Sequence, residues 1–227
     1  MRVLECLSSL PEQFTGWPDR AVPVEQWAAP IISDVTGFTS PTVATLLNHA
    51  CRHLLPGEYH VEIGSLHGAS LICALHANDV HAIAVDNFSQ FGATSSRLLD
   101  NLRKYGLIDL KPYGLIDRVG VVKTHSADFW HCANDHLRSR KIGLLFYDGD
   151  HSTAETLSSL EAAIPYLSDE ALIVVDDLNW EVVERAVNLF VDQHAKQAKA
   201  KFRFYTPDRV NQYPIWWNGL AIIVWRR

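Results

Sequence analysis

The sequence predicts an α/β protein built on a doubly wound, mainly parallel, seven-stranded sheet. Three observations carry this. From Tyr59 onward, short β-branched runs alternate with stretches of helical periodicity, the pattern of strands joined by crossover helices. Two runs, Leu144-Leu145-Phe146-Tyr147 and Leu172-Ile173-Val174-Val175, are apolar without interruption, as strands covered on both faces are. Each run then breaks into carboxylates, Asp148-Gly149-Asp150-His151 after the first and Asp176-Asp177 after the second.

Taken in order, residues 1–40 carry several Pro and Trp and little periodicity. They read as an N-terminal extension that packs over the core or over a pocket, with the main domain at 41–227. Ser40 is placed to cap a helix and Pro41 to begin it; Val43, Leu46, Leu47, Ala50 and Leu54 keep helical spacing until Pro56-Gly57. The strands that follow are 59–63, 80–85, 119–123, 142–147 and 171–175. Helices are expected at 69–76, 94–105, 128–138, 153–166 and 181–196, with Ser152 and Glu155 forming a capping box. Residues 202–205 and 220–225 read as a closing antiparallel pair. A pentapeptide, Tyr105-Gly106-Leu107-Ile108-Asp109, recurs at Tyr113 to Asp117 and reads as a small duplication in a surface connection.

The totals bound the function. A length of 227 residues suits one such domain with peripheral additions. A net charge of −6, with scattered Lys and Arg, offers no electrostatic reason to bind nucleic acid; the Lys-rich stretch 196–201 reads as a solvated helix end. The apolar runs are too short for a transmembrane helix, so no membrane partner is expected. The start lacks a basic region ahead of its short apolar segment, which makes a poor signal peptide. Four dispersed cysteines without a CxxC pattern point to reduced thiols and a cytoplasmic location. Homo-oligomer formation is left open.

In a parallel α/β sheet, ligands sit beyond the carboxyl ends of the strands. Three or four carboxylates gathered there repel one another unless a cation joins them, and oxygen ligands suit Mg²⁺, Ca²⁺ or Mn²⁺. The first strand ends in Val61-Glu62-Ile63-Gly64-Ser65-Leu66-His67-Gly68, an E-x-G-x-x-x-G turn whose glycines permit a sharp bend and close approach to a ligand. The second strand ends at Asp86, 24 positions after Glu62, where an acid can accept ribose hydroxyls. Together these point to an adenosine-bearing ligand.

These residues, with the Thr124-His125-Ser126-Ala127-Asp128 segment after the third strand and the antiparallel tail, resemble a class I S-adenosylmethionine-dependent methyltransferase over residues 40–227. The resemblance implies a Rossmann-like sheet of order 3-2-1-4-5-7-6 with the seventh strand antiparallel. It places Glu62 and Gly64 near the methionine part of the cofactor, Asp86 on the ribose, and Ser126 and Ala127 beside the adenine. Ser65, Gly68, Asn87 and Asp148 complete the expected cofactor-binding set.

Asp148, Asp176 and Asp177 resemble the metal triad of cation-dependent O-methyltransferases. The Asp148-x-x-His151 spacing is similar to the macrocin O-methyltransferase type, which modifies sugars in antibiotic pathways. That likeness implies His151 as general base, beside Asp148 in the catalytic pair. The chain departs from that group in carrying Asp150 and in its short, differently composed N-terminal part. The chemistry agrees without the label: an imidazole with an ordinary pKa near ~6.5 can take a proton from a hydroxyl at neutral pH. The expected reaction is methyl transfer to a small molecule with adjacent oxygens, a sugar or another natural product, with Mg²⁺ or a similar divalent cation.

Plainer roles stand beside these. Asp148 and Asp176 can cap loops, Asp177 can cap the helix near Trp180, and His151 can hold its own loop. Asp150 reads as a turn residue. His49 and His53 share a helix face at a spacing zinc can use, but no third ligand lies near them in the sequence, so packing is expected. Trp130, Trp180, Trp216 and Trp217 read individually as packing residues, with Trp180 the best placed to line an acceptor pocket. A nucleotide-dependent oxidoreductase is disfavoured by the turn, which is not G-x-G-x-x-G. A non-catalytic cofactor-binding module is disfavoured by intact Asp148, His151, Asp176 and Asp177.

Overall fold

The computed structural model describes residues 1–108 and 118–227. The second copy of the duplicated pentapeptide, and the last residue of the first, lie outside the described residues.

The chain opens with α1 (Val3–Ser9), a 3-10 turn at Leu10–Gln13, a short antiparallel ribbon of β1 (Phe14–Thr15) and β2 (Val22–Pro23), and α2 (Ala28–Val35). It continues through α3 (Pro41–Arg52), β3 (Glu58–Ile63), α4 (Ala69–Leu75), β4 (His81–Asp86), α5 (Ser95–Lys104), β5 (Val119–Lys123), α6 (Ser126–Leu137), β6 (Lys141–Tyr147) and α7 (Thr153–Ala163). Then come β7 (Leu167–Asp176), α8 (Glu181–Gln193), β8 (Ala198–Phe204) and β9 (Leu220–Arg226).

The main sheet has the order β5-β4-β3-β6-β7-β9-β8. Strands β3 to β7 pair in parallel, and β9 runs antiparallel to both β7 and β8. Numbered within the sheet, this is the expected order 3-2-1-4-5-7-6. The order reverses between β3 and β6, so their carboxyl ends frame the crevice where such sheets bind ligands.

Because successive strand residues face opposite sides, each apolar run feeds two cores. Val61, Ile63, Leu145, Tyr147, Ile173 and Val175 pack with Phe129, Leu160, Val187 and Phe190 of α6, α7 and α8. Leu144, Phe146, Leu172 and Val174 face the other way, onto Val43, Leu46 and Leu47 of α3 and onto Met1, Val3, Cys6 and Leu10. The N-terminal segment is thus largely a layer on the sheet. Its helical stripe of Val3, Cys6 and Leu10 is too short to stand out in the sequence. Only Gly37, Phe38 and Thr39, at its end, reach the cleft.

The cap on α3 is as read: Ser40 Oγ accepts the Val43 N–H at 3.2 Å, and Pro41 is the first helical residue. The box on α7 is half formed. Ser152 Oγ accepts the Glu155 N–H, while the Ser152 N–H goes to Asp150 Oδ1 at 2.8 Å. One expectation is overturned. Residues 196–201 do not end a helix: α8 stops at Gln193, and β8 begins at Ala198 as an edge strand with Lys199 and Lys201 exposed. Lysines on an edge strand discourage pairing with another chain, so the charge run has a β reason.

Candidate active site

The β3–α4 turn and the end of β6 meet at Gly64. Its φ is +90°, and a Cβ built there would fall 1.9 Å from the Asp148 carbonyl oxygen. Only glycine allows this approach, and it brings the glycine turn against the first acidic cluster. Gly68, also at φ +90°, begins α4; a Cβ there would meet Leu98 at 2.6 Å. It serves helix packing and is not on the cleft wall.

Glu62 is fully buried behind the turn. Its Oε1 accepts the Ser70 hydroxyl at 3.0 Å, and its Oε2 lies 3.6 Å from His60 Nε2. It braces α4 from beneath. Asp86 stands at the end of β4 in the cleft, its Oδ2 accepting the Leu66 N–H at 2.7 Å and its Oδ1 the Phe88 N–H at 2.6 Å. These bonds orient the carboxylate and leave a second lone pair on each oxygen. Asn87 Nδ2 is 3.0 Å from His125 Nδ1, and Ser126 and Ala127 begin α6 just beyond.

Gly64, Asp86, Asn87, His125, Ser126 and Ala127 line one cleft of about 740 Å³, and Glu62 and Gly68 lie off its wall. At its other end lie Asp148, His151 and Asp177, each offering a ligand atom within 4.8 Å of the others. His151 Nε2 pairs with Asp177 Oδ2 as an ion-pair contact and sits 4.0 Å from Asp148 Oδ1. Its ring meets Trp180 edge to face, centroids 4.3 Å apart. Asp176 is buried beside them, off the wall, with its Oδ1 accepting the Asp177 N–H at 2.9 Å. The atoms that converge are therefore those of Asp148, Asp177 and His151, with Asp176 behind.

The electrostatics follow from crowding. Burial, opposed by the His151 hydrogen bond and reinforced by Asp177, raises Asp148 to about 7. Burial, then the charges of Asp148 and Asp177, lift Asp176 well above the usual carboxylate range. Burial alone would lower His151, but hydrogen bonds to Asp148 and Asp177 and their charges outweigh it and push it up to about 10. As arranged, the two acids beside the imidazole favour its protonated form. Two carboxylates and an imidazole converging on one point, with a third carboxylate crowded behind, fit a divalent cation.

Asp177 has φ 62°, an uncommon conformation for a residue with a side chain. Its Oδ1 accepts the Asn218 Nδ2–H, so its side chain is turned to the cluster rather than to the start of α8. Asp150 is a turn residue: its carbonyl accepts the Tyr147 hydroxyl at 2.8 Å. Trp216 is buried, stacked on Phe204 at 4.0 Å, and Trp130 is buried on Ser159. Trp180 and Trp217 line the cleft.

Sequence reasoning missed Gln212 and Asn218, from the β8–β9 connection, and Phe38 and Phe91, whose exposed rings meet at 5.2 Å. A signal existed for Asn218. In an antiparallel partner of β7, the residues just before the strand must arrive where β7 ends, and Asp176 pairs with Leu220.

A family model for a methyltransferase domain matches residues 61–178, just over half of the chain. Among curated proteins no sequence match was found. Solved structures share the fold at low identity. An O-methyltransferase from Bacillus cereus in complex with S-adenosylhomocysteine superposes with a TM-score of 0.62 at 15% identity, over 92% of this chain and 94% of that one. TomG from Streptomyces achromogenes, an O-methyltransferase involved in tomaymycin synthesis, gives 0.62 at 14%, over 88% of each. CalS11, a TDP-rhamnose 3'-O-methyltransferase of calicheamicin biosynthesis, gives 0.58 at 16%, over 98% and 93%. With the family match, the sheet order and the glycine turn agreeing, the chain belongs to the methyltransferase domain family as a class I S-adenosylmethionine-dependent enzyme.

Proposed function

We propose that the protein transfers the methyl group of S-adenosylmethionine to a hydroxyl of a small molecule, a sugar or natural product with adjacent oxygens, at the acidic end of the cleft. The observation that carries this is the continuity of one cleft from Asp86 and Ser126 to Asp148, His151 and Asp177. A donor held at the first end would share the cleft with an acceptor held at the second. The volume is in the range of small-molecule sites, and the solved O-methyltransferases of similar fold act in tomaymycin and calicheamicin synthesis.

In this reading Gly64 and Ser65 hold the methionine part through backbone groups, and Asp86 accepts the ribose hydroxyls. Asn87, Ser126 and Ala127 border the base, while Glu62 and Gly68 support the turn from behind. Asp148 and Asp177 would hold a divalent cation, with Asp176 buried behind them. Such a cation would supply the positive charge that makes an acceptor hydroxyl more acidic. His151 takes the acceptor's proton at Nε2. That role requires the pull of Asp148 and Asp177 on the imidazole to be offset, since the two acids otherwise keep it protonated. Trp180 and Trp217 wall the acceptor side and exclude water. Much of the rate comes from aligning donor and acceptor.

The test is calorimetry with S-adenosylhomocysteine, then transfer of labelled methyl from the donor to a panel of nucleotide sugars and catechols, with and without EDTA. Binding should weaken by about 1.5–3 kcal/mol in Asp86→Ala, the range for hydrogen bonds to a charged group. Mg²⁺ should restore activity lost to EDTA. No heat with the wild-type protein at millimolar ligand would end the donor assignment. Full turnover in EDTA would end the cation assignment alone.

A further inference from the structure

Helix α3 places His49 and His53 one turn apart on one face, and the fold brings the third group that the local sequence lacks. Helix α1 packs beside α3 and delivers Cys6. One ligand atom from each of Cys6, His49 and His53 lies within 4.8 Å of the other two. Cys6 and His49 are buried, at 1% and 3% exposure, while His53 is half-buried and leaves a way in from solvent.

The hydrogen bonds of His49 are informative. Its Nε2 lies 3.0 Å from the Cys6 carbonyl oxygen and 3.2 Å from Ser9 Oγ. A neutral imidazole carries one N–H and one lone pair. With the N–H at Nε2 donated to a carbonyl, the lone pair is on Nδ1. That Nδ1 is buried and, among the described residues, has no hydrogen-bond partner. A histidine with one nitrogen donating to a backbone carbonyl and the other free has the tautomer and lone pair that metal-binding histidines use. The His49 and His53 rings stand 4.8 Å apart between centroids, tilted by 57°, so they are not stacked on one another.

We propose that Cys6, His49 and His53 form a zinc site, separate from the catalytic cleft, that clips α1 to α3. One sulfur and two imidazole nitrogens suit Zn²⁺ and are poor ligands for Mg²⁺. Tetrahedral ligands of zinc stand roughly 3.5 Å apart given the metal–ligand bond lengths, so side-chain shifts of about an ångström close the set. Water on the His53 side completes the coordination. The Zn–S bond forms as the Cys6 thiol gives its proton to solvent, so binding releases one proton and no oxidant is needed. The site ties a layer of the fold and takes no part in methyl transfer.

The probes are Co²⁺ and Zn²⁺ added to the full chain. Wild-type protein should take up Co²⁺ with a thiolate-to-metal charge-transfer band and intense visible bands of tetrahedral cobalt, and one equivalent of Zn²⁺ should displace them. Cys6→Ser should remove the charge-transfer band. His53→Ala, at the least buried of the three positions, should weaken Zn²⁺ binding at least tenfold while its circular dichroism stays that of the wild type. Asp177→Asn should leave the band unchanged, which separates this site from the acidic cluster. The proposal is overturned by wild-type protein without a thiolate band, by a band that survives Cys6→Ser, or by His53→Ala binding zinc as the wild type does.

Discussion

Asn218 donates its side-chain N–H to Asp177 Oδ1 across 41 residues of sequence. The same amide accepts the Gln212 N–H at 2.6 Å through Oδ1. One buried side chain therefore sets the orientation of a cluster acid and ties the β8–β9 connection to it. Asn218→Ala should weaken binding of Mg²⁺ or Mn²⁺ by about 1–3 kcal/mol, the usual cost of leaving a buried group without its partner. Affinity for S-adenosylhomocysteine should not change. Paired calorimetric titrations check both, and an unaltered metal affinity would remove Asn218 from the account.

His151→Ala should lower kcat by about 10²–10⁴, the typical contribution of a general base. Affinity for the donor should be retained. Affinity for the divalent cation should not fall, because the imidazole competes for the same two acids in the structure. If Mg²⁺ binding weakens tenfold in the variant, His151 is a ligand and the base must be sought elsewhere.

Gly64→Ala should destabilise the fold strongly. Overpacking against the Asp148 carbonyl costs about 1–3 kcal/mol, and a left-handed residue with a side chain costs roughly 1–2 kcal/mol more. Gly57 has φ +88° with open space around it, so Gly57→Ala should show the second cost alone. Urea denaturation of the two variants separates the effects. Equal losses would mean that the close approach at Gly64 is easily relieved.

The pH dependence of the β8–β9 connection rests on Glu184. The Tyr205 hydroxyl donates to its Oε1 at 2.6 Å, and Arg209 pairs with Oε2 at 2.8 Å. The Tyr205 hydrogen bond first, then Arg209, hold the carboxyl below its ordinary value against the opposing effect of burial. The folded state thus binds the proton less readily than the unfolded chain. The stabilisation is full above the ordinary Glu pKa, near ~4.3, and is lost as pH falls through the folded value. Being partly exposed, the pair should be worth under about 1 kcal/mol. Hydrogen-exchange protection along 205–218, corrected for intrinsic rates, should fall as pH drops through the folded value of Glu184 in the wild type and should already be low at neutral pH in Glu184→Gln. Identical profiles for the two proteins would count against it.

What the sequence determined by itself is local or periodic. The runs ending in Asp148 and Asp176 announced two parallel strands, because a strand covered on both faces must be apolar at every position. Ser40 and Pro41 announced the start of α3, because the first turn of a helix has N–H groups to satisfy. The glycine turn after Glu62 and the acid Asp86, 24 positions after Glu62, pointed to the cleft for the same reason: both lie at strand ends whose positions follow from the alternation of elements. The lysines of 196–201 misled, since exposed charge suits a helix end and an edge strand equally. Only the tertiary structure decided that Glu62 is buried behind the turn, that His151 turns to Asp177, that Asn218 reaches that acid, and that Cys6 meets His49. Each of these depends on strand register or on the packing of layers distant in sequence. Such contacts are chosen by how whole faces fit together, and no stretch of neighbouring residues encodes them.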